Sequence, residues 1–432
     1  MEIIKEEDFV PLANAASNNM LGLCSYFQTN KDKKFSKRLY AALFNESTEL
    51  EEFLDDHGAR TNKKWLYFGE IVASIRNLSS TAFIINHIQR RIKFYKLQSK
   101  NINAFIADSQ KRLDFLNKSI LALLCVLEHE AHDLGLTIPR GKFSEHNVDE
   151  IIVIKTLPHD IDDEGVMNID EHISHIATSF IEAYNLSDSV LFEKKITAKD
   201  IEGNVIPDKI NEETLRFLET HVHNAQSMYD TYVHKTPYES QNKLLQSLRG
   251  HISITLHLLG VARMLSHFFE RHESTVRKEH TRKKIAKIIT RKKILDIIIN
   301  FALYHYTVFV KEGHHISEQI LDCFTVVAAA VVNVPEGLGF HLRPSTLVAK
   351  ISNHYNAKVH MIINKKEFDA SSVIDLMWAG GMVKKEEIKQ VEFRGDKHAV
   401  EDLKILAAAN YGEDTMGNST PLPEQLSYLR QD

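Results

Sequence analysis

Two long stripes of apolar side chains constrain this chain more than any other feature. Ile71, Ile75, Leu78, Ala82, Ile85, Ile88, Ile92 and Tyr95 recur at steps of three and four, while Arg90, Arg91 and Lys93 fall off the stripe. That spacing places the apolar set on one face of an α-helix. Leu245, Leu248, Ile252, Leu256, Leu259, Ala262, Leu265 and Phe269 repeat the pattern later in the chain. Helices of this length need an apolar partner, so the stripes predict long helical hairpins packed as a bundle, or pairing with a second copy as a homo-oligomer. Companion helices are expected over Phe35 to His57, Asn101 to His132 (ending at Gly135, with Pro139 beyond), Ile169 to Tyr184, and Arg277 to Val310 (closing at Gly313). A short helix is expected to begin at Ser317.

At 432 residues the chain is too long for one small domain. Residues 1–135 and 211–315 read as the two halves of a mostly α-helical module. Residues 136–210 read as a connecting region with one helix and short strands, one at Glu150 to Lys155 and a pair around the turn Glu202-Gly203-Asn204. Arg76 to Thr81 and Arg249 to Thr255 occupy similar places in the two stripes. Either an ancient duplication or the default likeness of two helical hairpins accounts for that. The last residues, 415–432, carry Gly417, Pro421 and Pro423 and are expected to form a flexible tail.

Composition narrows the classes of function. With 43% hydrophobic and 26% charged residues and a net charge of -5, the chain has the make-up of an ordinary globular protein and gives no global case for nucleic-acid binding. Arg277 to Lys293 is rich in Lys and Arg, but Ile285, Ile288 and Ile289 interleave at helical spacing, so a solvated helix face is the better reading. Cys24, Cys125 and Cys323 are sparse and far apart, as buried thiols in a reducing compartment would be. The acidic start, Glu2 to Glu7, lacks the apolar core of a secretory signal, and the apolar runs at Ile120 to Leu127 and Val326 to Val332 fall well short of the ~20 residues of a spanning helix. A cytoplasmic protein with no membrane span is expected.

The chemistry concentrates near the C-terminus. Residues 326–411 alternate as strand (326–334), helix (343–356), strand (357–363), strand (366–369), helix (371–379), strand (388–393) and helix (397–409). That βαββαβα order predicts an antiparallel sheet with helices on one face, an α+β open-faced sandwich. Between the first strand and the first helix lies Gly337-Leu338-Gly339-Phe340-His341-Leu342-Arg343-Pro344. Proline suits the first turn of a helix, where its missing amide leaves nothing unpaired, so His341 is placed at a helix N-terminus. Unpaired amides and the helix dipole favour an anion there. An imidazole nitrogen so placed can accept a phosphoryl group, with Arg343 facing the new charge.

The segment Gly339-Phe340-His341-Leu342-Arg343-Pro344 resembles the Gly-x-His-x-Arg-Pro signature of HPr, the histidine phosphocarrier of the phosphoenolpyruvate-dependent sugar phosphotransferase system. Ser371-Ser372-Val373-Ile374-Asp375-Leu376-Met377-Trp378-Ala379-Gly380 resembles that family's second helix, and Arg394 to Leu403 its final turn and third helix. The resemblance covers residues 326–411 only. It implies an HPr-like fold, His341 as the phosphorylated histidine, Arg343 as the arginine that steadies the phosphate, and Pro344 as the proline of the first helical turn. It further implies Ser372 as a regulatory serine and Val373, Ile374 and Met377 as partner-binding side chains. Asp375 and Trp378 depart from the family pattern, and a carboxylate near Ser372 would oppose a phosphate there. The implied donor is an enzyme I-like protein; the acceptor is left open, and no cofactor or metal is called for.

The function expected is therefore a phosphocarrier or regulatory protein, rather than a self-contained enzyme, in which the helical module selects partners, holds an oligomer or converts phosphorylation into a signal. Two alternatives stand beside it. One is a non-catalytic interaction scaffold that keeps the carrier fold for docking. The other is a metal-dependent hydrolase of HD type built on His129, His132 and Asp133, with ligands such as His87, His251 or His257, although the spacing of His-Glu-x-x-His zinc hydrolases is absent.

Overall fold

In the computed structural model the described residues are 3–30, 35–97, 99–139, 169–197, 201, 210–272, 279–324, 327–355 and 358–430. The chain divides into two compact units, residues 1–166 with 179–318, and 167–178 with 319–432.

The first unit is mostly helical. Its elements are α1 (Glu6–Thr29), α2 (Lys37–Asp56), α3 (Leu66–Arg91), α4 (Ile102–Asp133), α5 (Ile169–Asn185, shared with the second unit), α6 (Glu212–Tyr232), α7 (Pro237–Gln241), α8 (Lys243–His272), α9 (Glu279–Ala286), α10 (Arg291–Ile297) and α11 (Tyr304–Phe324, its last residues in the second unit). Every member of the first apolar stripe is buried, from Ile71 at 0% exposure to Ile92 at 7%. In the second stripe Leu256 alone is only half-buried. The two stripes meet, because α3 packs on α8 as well as on α2 and α4, and α6 covers another side of α8. The long helices thus bury their apolar faces on one another within this unit, the arrangement that the stripe spacing calls for.

Several expectations are corrected. One helix from Arg277 to Val310 is replaced by α9, a turn at 287–290, α10, a π-helical segment Ile298–Leu303, and α11. Gly313 does not close a helix but lies inside α11, where an added Cβ would come within 2.5 Å of Phe180 Cε1 and 2.9 Å of His251 Cβ. Glycine there supplies clearance between packed helices. No helix begins at Ser317, which is buried in the body of α11. Cys125 and Cys323 are exposed; only Cys24 is buried, and burial pushes its thiol far up. The strand expected at 150–155 and the turn at Glu202-Gly203-Asn204 lie outside the described residues. Lys243–Arg271 and Arg291–Phe324 are long and apolar enough, by length and composition, to cross a membrane, and 72% and 78% of their most apolar windows are buried inside the protein. Run length in the sequence suggests no such stretch, because polar residues such as Asn300 and Lys311 interrupt what the structure joins.

A π-helical segment accommodates an extra residue in the turn and re-aims its side chains. Here it directs Asn300 at the backbone of Ile196, accepting from its amide at 2.8 Å and donating to its carbonyl at 2.9 Å. Nearby, Asp108 of α4 accepts from Lys195 Nζ at 2.7 Å and meets His305 Nε2 at 3.2 Å, with Arg112 at 3.4 Å. Burial alone would raise the Asp108 carboxyl, but the hydrogen bonds of His305 and Lys195 and the charge of Arg112 outweigh it and hold it well below the usual carboxylate range.

The second unit contains β1 (Val327–Asn333), α12 (Leu342–His354), β2 (His360–Ile363), β3 (Lys366–Asp369), α13 (Val373–Lys385), β4 (Gln390–Asp396) and α14 (Lys397–Ala408). The strands form one antiparallel sheet in the order β1-β4-β2-β3. Val332, Met361, Ile363, Val391 and Phe393 form the buried face with side chains of all three helices, whereas Val327 and Val331 on the other face are 68% and 64% exposed. One covered and one open face follow from the two-residue period of a strand. The β2–β3 turn is made by Asn364 and Lys365, both at positive φ (48° and 68°).

The helix expected to stop at residue 379 runs on to Lys385 through Gly380 and Gly381. An added Cβ on Gly380 would meet the Phe340 carbonyl oxygen at 2.3 Å and Phe340 Cβ at 2.9 Å, so α13 uses this glycine to lie against the loop that carries His341. Because the obstacle is backbone, Gly380→Ala is expected to lower the stability of this unit in urea denaturation by about 1–3 kcal/mol, despite the better helix propensity of alanine. The expected tail is also corrected. Leu426 and Leu429 are buried in the core of this unit, and Tyr428 donates to Asp402 Oδ2 at 2.5 Å. Proline and glycine in this stretch shape a packed segment instead of loosening it.

Candidate functional site

The site is built where β1 hands over to α12. His341 is the N-cap of α12, with extended backbone (φ -92°, ψ -169°), and its side chain makes no capping bond. Its carbonyl accepts the first helical bond, from Ser345 N at 3.1 Å. Pro344 occupies the first helical turn and is buried, so the amides ahead of it are those that a helix leaves unpaired. The His341 ring is 32% exposed and the Arg343 side chain 47%. Phe340 is buried against Tyr411, ring centroids 5.2 Å apart, which anchors the loop from below.

A third group joins them that sequence reasoning missed. Glu413, whose side chain is 0% exposed, places Oε2 at 2.8 Å from His341 Nε2 and Oε1 at 3.5 Å from Arg343 Nη1. Arg343 Nη1 also donates to the Gly417 carbonyl at 3.4 Å. Both partners come from the stretch that reads in sequence as the end of a domain and the start of a tail. No motif marks them; the only signal is an acidic residue just past the last helix, which hundreds of unrelated contexts would share.

Ser372 is the N-cap of α13, and its hydroxyl oxygen accepts from Asp375 N at 3.2 Å. That is an ordinary structural capping role. Of the side chains expected to meet partners, Ile374 and Met377 are 69% and 43% exposed, while Val373 is half-buried against the core. Trp378 at 76%, Leu338 at 61%, Leu342 at 62% and Met416 at 82% add exposed apolar surface that the sequence reading did not include.

The residues of the metal-hydrolase reading do not assemble among the described residues. His129 and His132 are exposed on α4 and each lies 3.8 Å from Asp133, His251 is buried beside Glu312 at 3.5 Å, and the His87 and His257 rings pack edge to face at 4.8 Å. One trio, His314, His315 and Glu318 on α11, has donor atoms within 4.8 Å of one another, with Glu318 Oε2 at 3.1 Å from His315 Nδ1 and 3.7 Å from His314 Nδ1. In the basic stretch, Lys283 pairs with Glu279, Lys284 lies over the Tyr67 ring and Arg291 over Phe269.

His257 borders a cleft of about 280 Å³ shared with Glu219, Thr220, His223 and Leu256. Burial, aided by His87 and Lys37, pulls its imidazole down from 6.5 to about 4. Above pH 6.5 the ring is neutral in both folded and unfolded chains. Between pH 6.5 and 4 the unfolded chain takes up a proton that the folded ring refuses, so stability falls as pH falls, by up to about 3 kcal/mol. His257→Gln is expected to flatten the urea midpoint of the helical unit across that window.

Residues 329–409 match the family described as PTS HPr component, phosphorylation site. No curated protein and no solved structure matches the chain.

Proposed function

We propose that the HPr domain at residues 329–409 makes this chain a phosphocarrier whose acceptor is the His341 imidazole, charged by an enzyme I-like phosphohistidine donor. The observation that carries the reading is the partly exposed His341 ring at the N-cap of α12, beside Arg343, within the stretch that matches the family. HPr domains interact with phosphotransferase enzymes such as enzyme I. A phosphoryl group on the His341 ring would meet the first-turn amides of α12 and the Arg343 guanidinium, both suited to its charge. Pro344 fixes the turn that presents these groups. Ile374 and Met377, with Trp378, supply apolar surface for the donor and acceptor proteins to dock on. Ser372 is engaged as a helix cap, and Asp375 lies one turn away, so control through that hydroxyl is not part of the reading.

The helical unit is proposed to choose the acceptor or to pass on the state of His341 as a signal, in a reducing cytoplasmic setting. An unattached carrier domain would suffice for phosphoryl relay alone. The test is incubation of the full chain with an enzyme I-type protein and labelled phosphoenolpyruvate. The expected result is about one acid-labile, alkali-stable phosphoryl group per chain, the signature of a phosphoramidate. A chain that takes up no label sinks the carrier reading and leaves a docking scaffold.

A further inference from the structure

We propose that Glu413 is a positioning residue: its buried carboxylate holds the proton on His341 Nε2, so that Nδ1 presents the attacking lone pair and the phosphorylated ring remains a good leaving group. The proposal rests on the carrier reading above and deepens it. The family match ends at residue 409, so this carboxylate is supplied by chain beyond the matched residues.

The contact is built, not incidental. Glu413 N donates to Asn410 O at 3.1 Å, Asn410 Nδ2 donates to Glu413 O at 3.0 Å, and Glu413 forms a bridge with Ser419. The same segment is tied to the His341 loop at two further places. Asn410 Oδ1 accepts from Glu336 N at 2.8 Å, and Tyr411 donates its hydroxyl to Asn333 O at 3.0 Å. Gly337, at φ +85°, lets the loop approach so closely that an added Cβ would meet Thr415 O at 2.6 Å. With both ends pinned, the carboxylate has little freedom to turn away. A fully buried carboxylate demands donors, and those in reach are His341 Nε2 at 2.8 Å and, more weakly, Arg343 at 3.5 Å.

The chemistry follows from which ring nitrogen carries the proton. With Nε2–H donated to Glu413, the free lone pair is on Nδ1. Nδ1 attacks the phosphorus of the donor's phosphohistidine, the donor P–N bond breaks, and its electron pair returns to the donor nitrogen. The new Nδ1–P bond leaves His341 as a phosphoryl-imidazolium that keeps its Nε2 proton, and Glu413 faces the positive charge. No proton has to leave or arrive. On onward transfer the departing group is a neutral imidazole, a much better leaving group than an imidazolate.

The test uses full-length protein labelled with ¹⁵N-histidine and read by long-range ¹H–¹⁵N correlation before any phosphorylation. Wild-type His341 should show the Nε2–H tautomer in about tenfold excess, and Glu413→Gln, whose amide can also donate, should lose that excess. Return of the phosphoryl group from the charged chain to the donor protein should slow by about tenfold or more in Glu413→Gln. The wild-type spectrum needs no variant to fold, and an Nδ1–H tautomer there would overturn the proposal at once. Labelling of both proteins with equal tautomer balance and equal return rates would overturn the role of Glu413 while leaving the carrier intact. Failure of the wild type to take up label would instead remove the carrier reading.

Discussion

Replacing His341 by alanine is expected to abolish the acid-labile phosphate altogether, a loss limited only by the detection floor of the assay. The reason is chemical. The reaction needs a nitrogen lone pair at a place where amides and a guanidinium already face the incoming charge, and no other imidazole occupies an equivalent position among the described residues of the HPr domain. His398, for example, follows a helix N-cap, but there the Asp396 carboxylate already accepts from the first amides, at 2.9 and 3.0 Å. Removing His341 has a side effect that must be separated from the loss. Glu413 would keep a buried charge with one weak partner, at a cost of about 1–3 kcal/mol to this unit. His341→Gln keeps a donor near Glu413 without a nucleophilic nitrogen, so it should be unlabelled yet nearly as stable as the wild type. Arg343→Ala should retain the label and take it up about tenfold more slowly, since the helix N-terminus still receives the phosphate. Label persisting in His341→Gln would move the acceptor elsewhere and end the present assignment.

The second large effect lies in the helical unit. Asp108→Ala should lower its stability by about 3–5 kcal/mol in urea denaturation, because Asp108 is the shared acceptor for three cationic or polar groups, of which His305 and Arg112 are themselves nearly buried. Removing it takes this acceptor from His305 Nε2 and Lys195 Nζ in a low-dielectric setting, while Arg112 keeps Asp296 as its remaining carboxylate partner. Lys195→Ala should cost much less, within about 1 kcal/mol, since the Lys195 side chain is 45% exposed and water replaces its partner. If Asp108→Ala and Lys195→Ala prove equally mild, the network is a surface feature and the packing account of this unit is wrong.

Legibility in the sequence followed the range of the interaction. The apolar stripes on α3 and α8, the break between the strands ending at 363 and beginning at 366, and the Pro344 turn after His341 depend on neighbours within a few residues, and the structure places them close to where the sequence does. Glycine misled in two places for one reason. At Gly313 and Gly380 it reads locally as a helix terminator, yet it serves as clearance for Phe180 and for the Phe340 backbone, from segments 133 and 40 residues away in the chain. The segment after α14 misled for the opposite reason. Its proline and glycine content suggests a loose end, but Leu426 and Leu429 find the core and Glu413 finds His341.

The sequence by itself determined that the chain carries long amphipathic helices and a histidine at a helix start in an HPr domain, because period, turn chemistry and motif are local properties of the polypeptide. Only the tertiary structure decided which carboxylate meets that histidine, how α8 lies against α3, and that the final segment is packed. Those outcomes come from steric fit and from the need of buried polar groups for partners, conditions that arise only when distant stretches of chain are brought into contact.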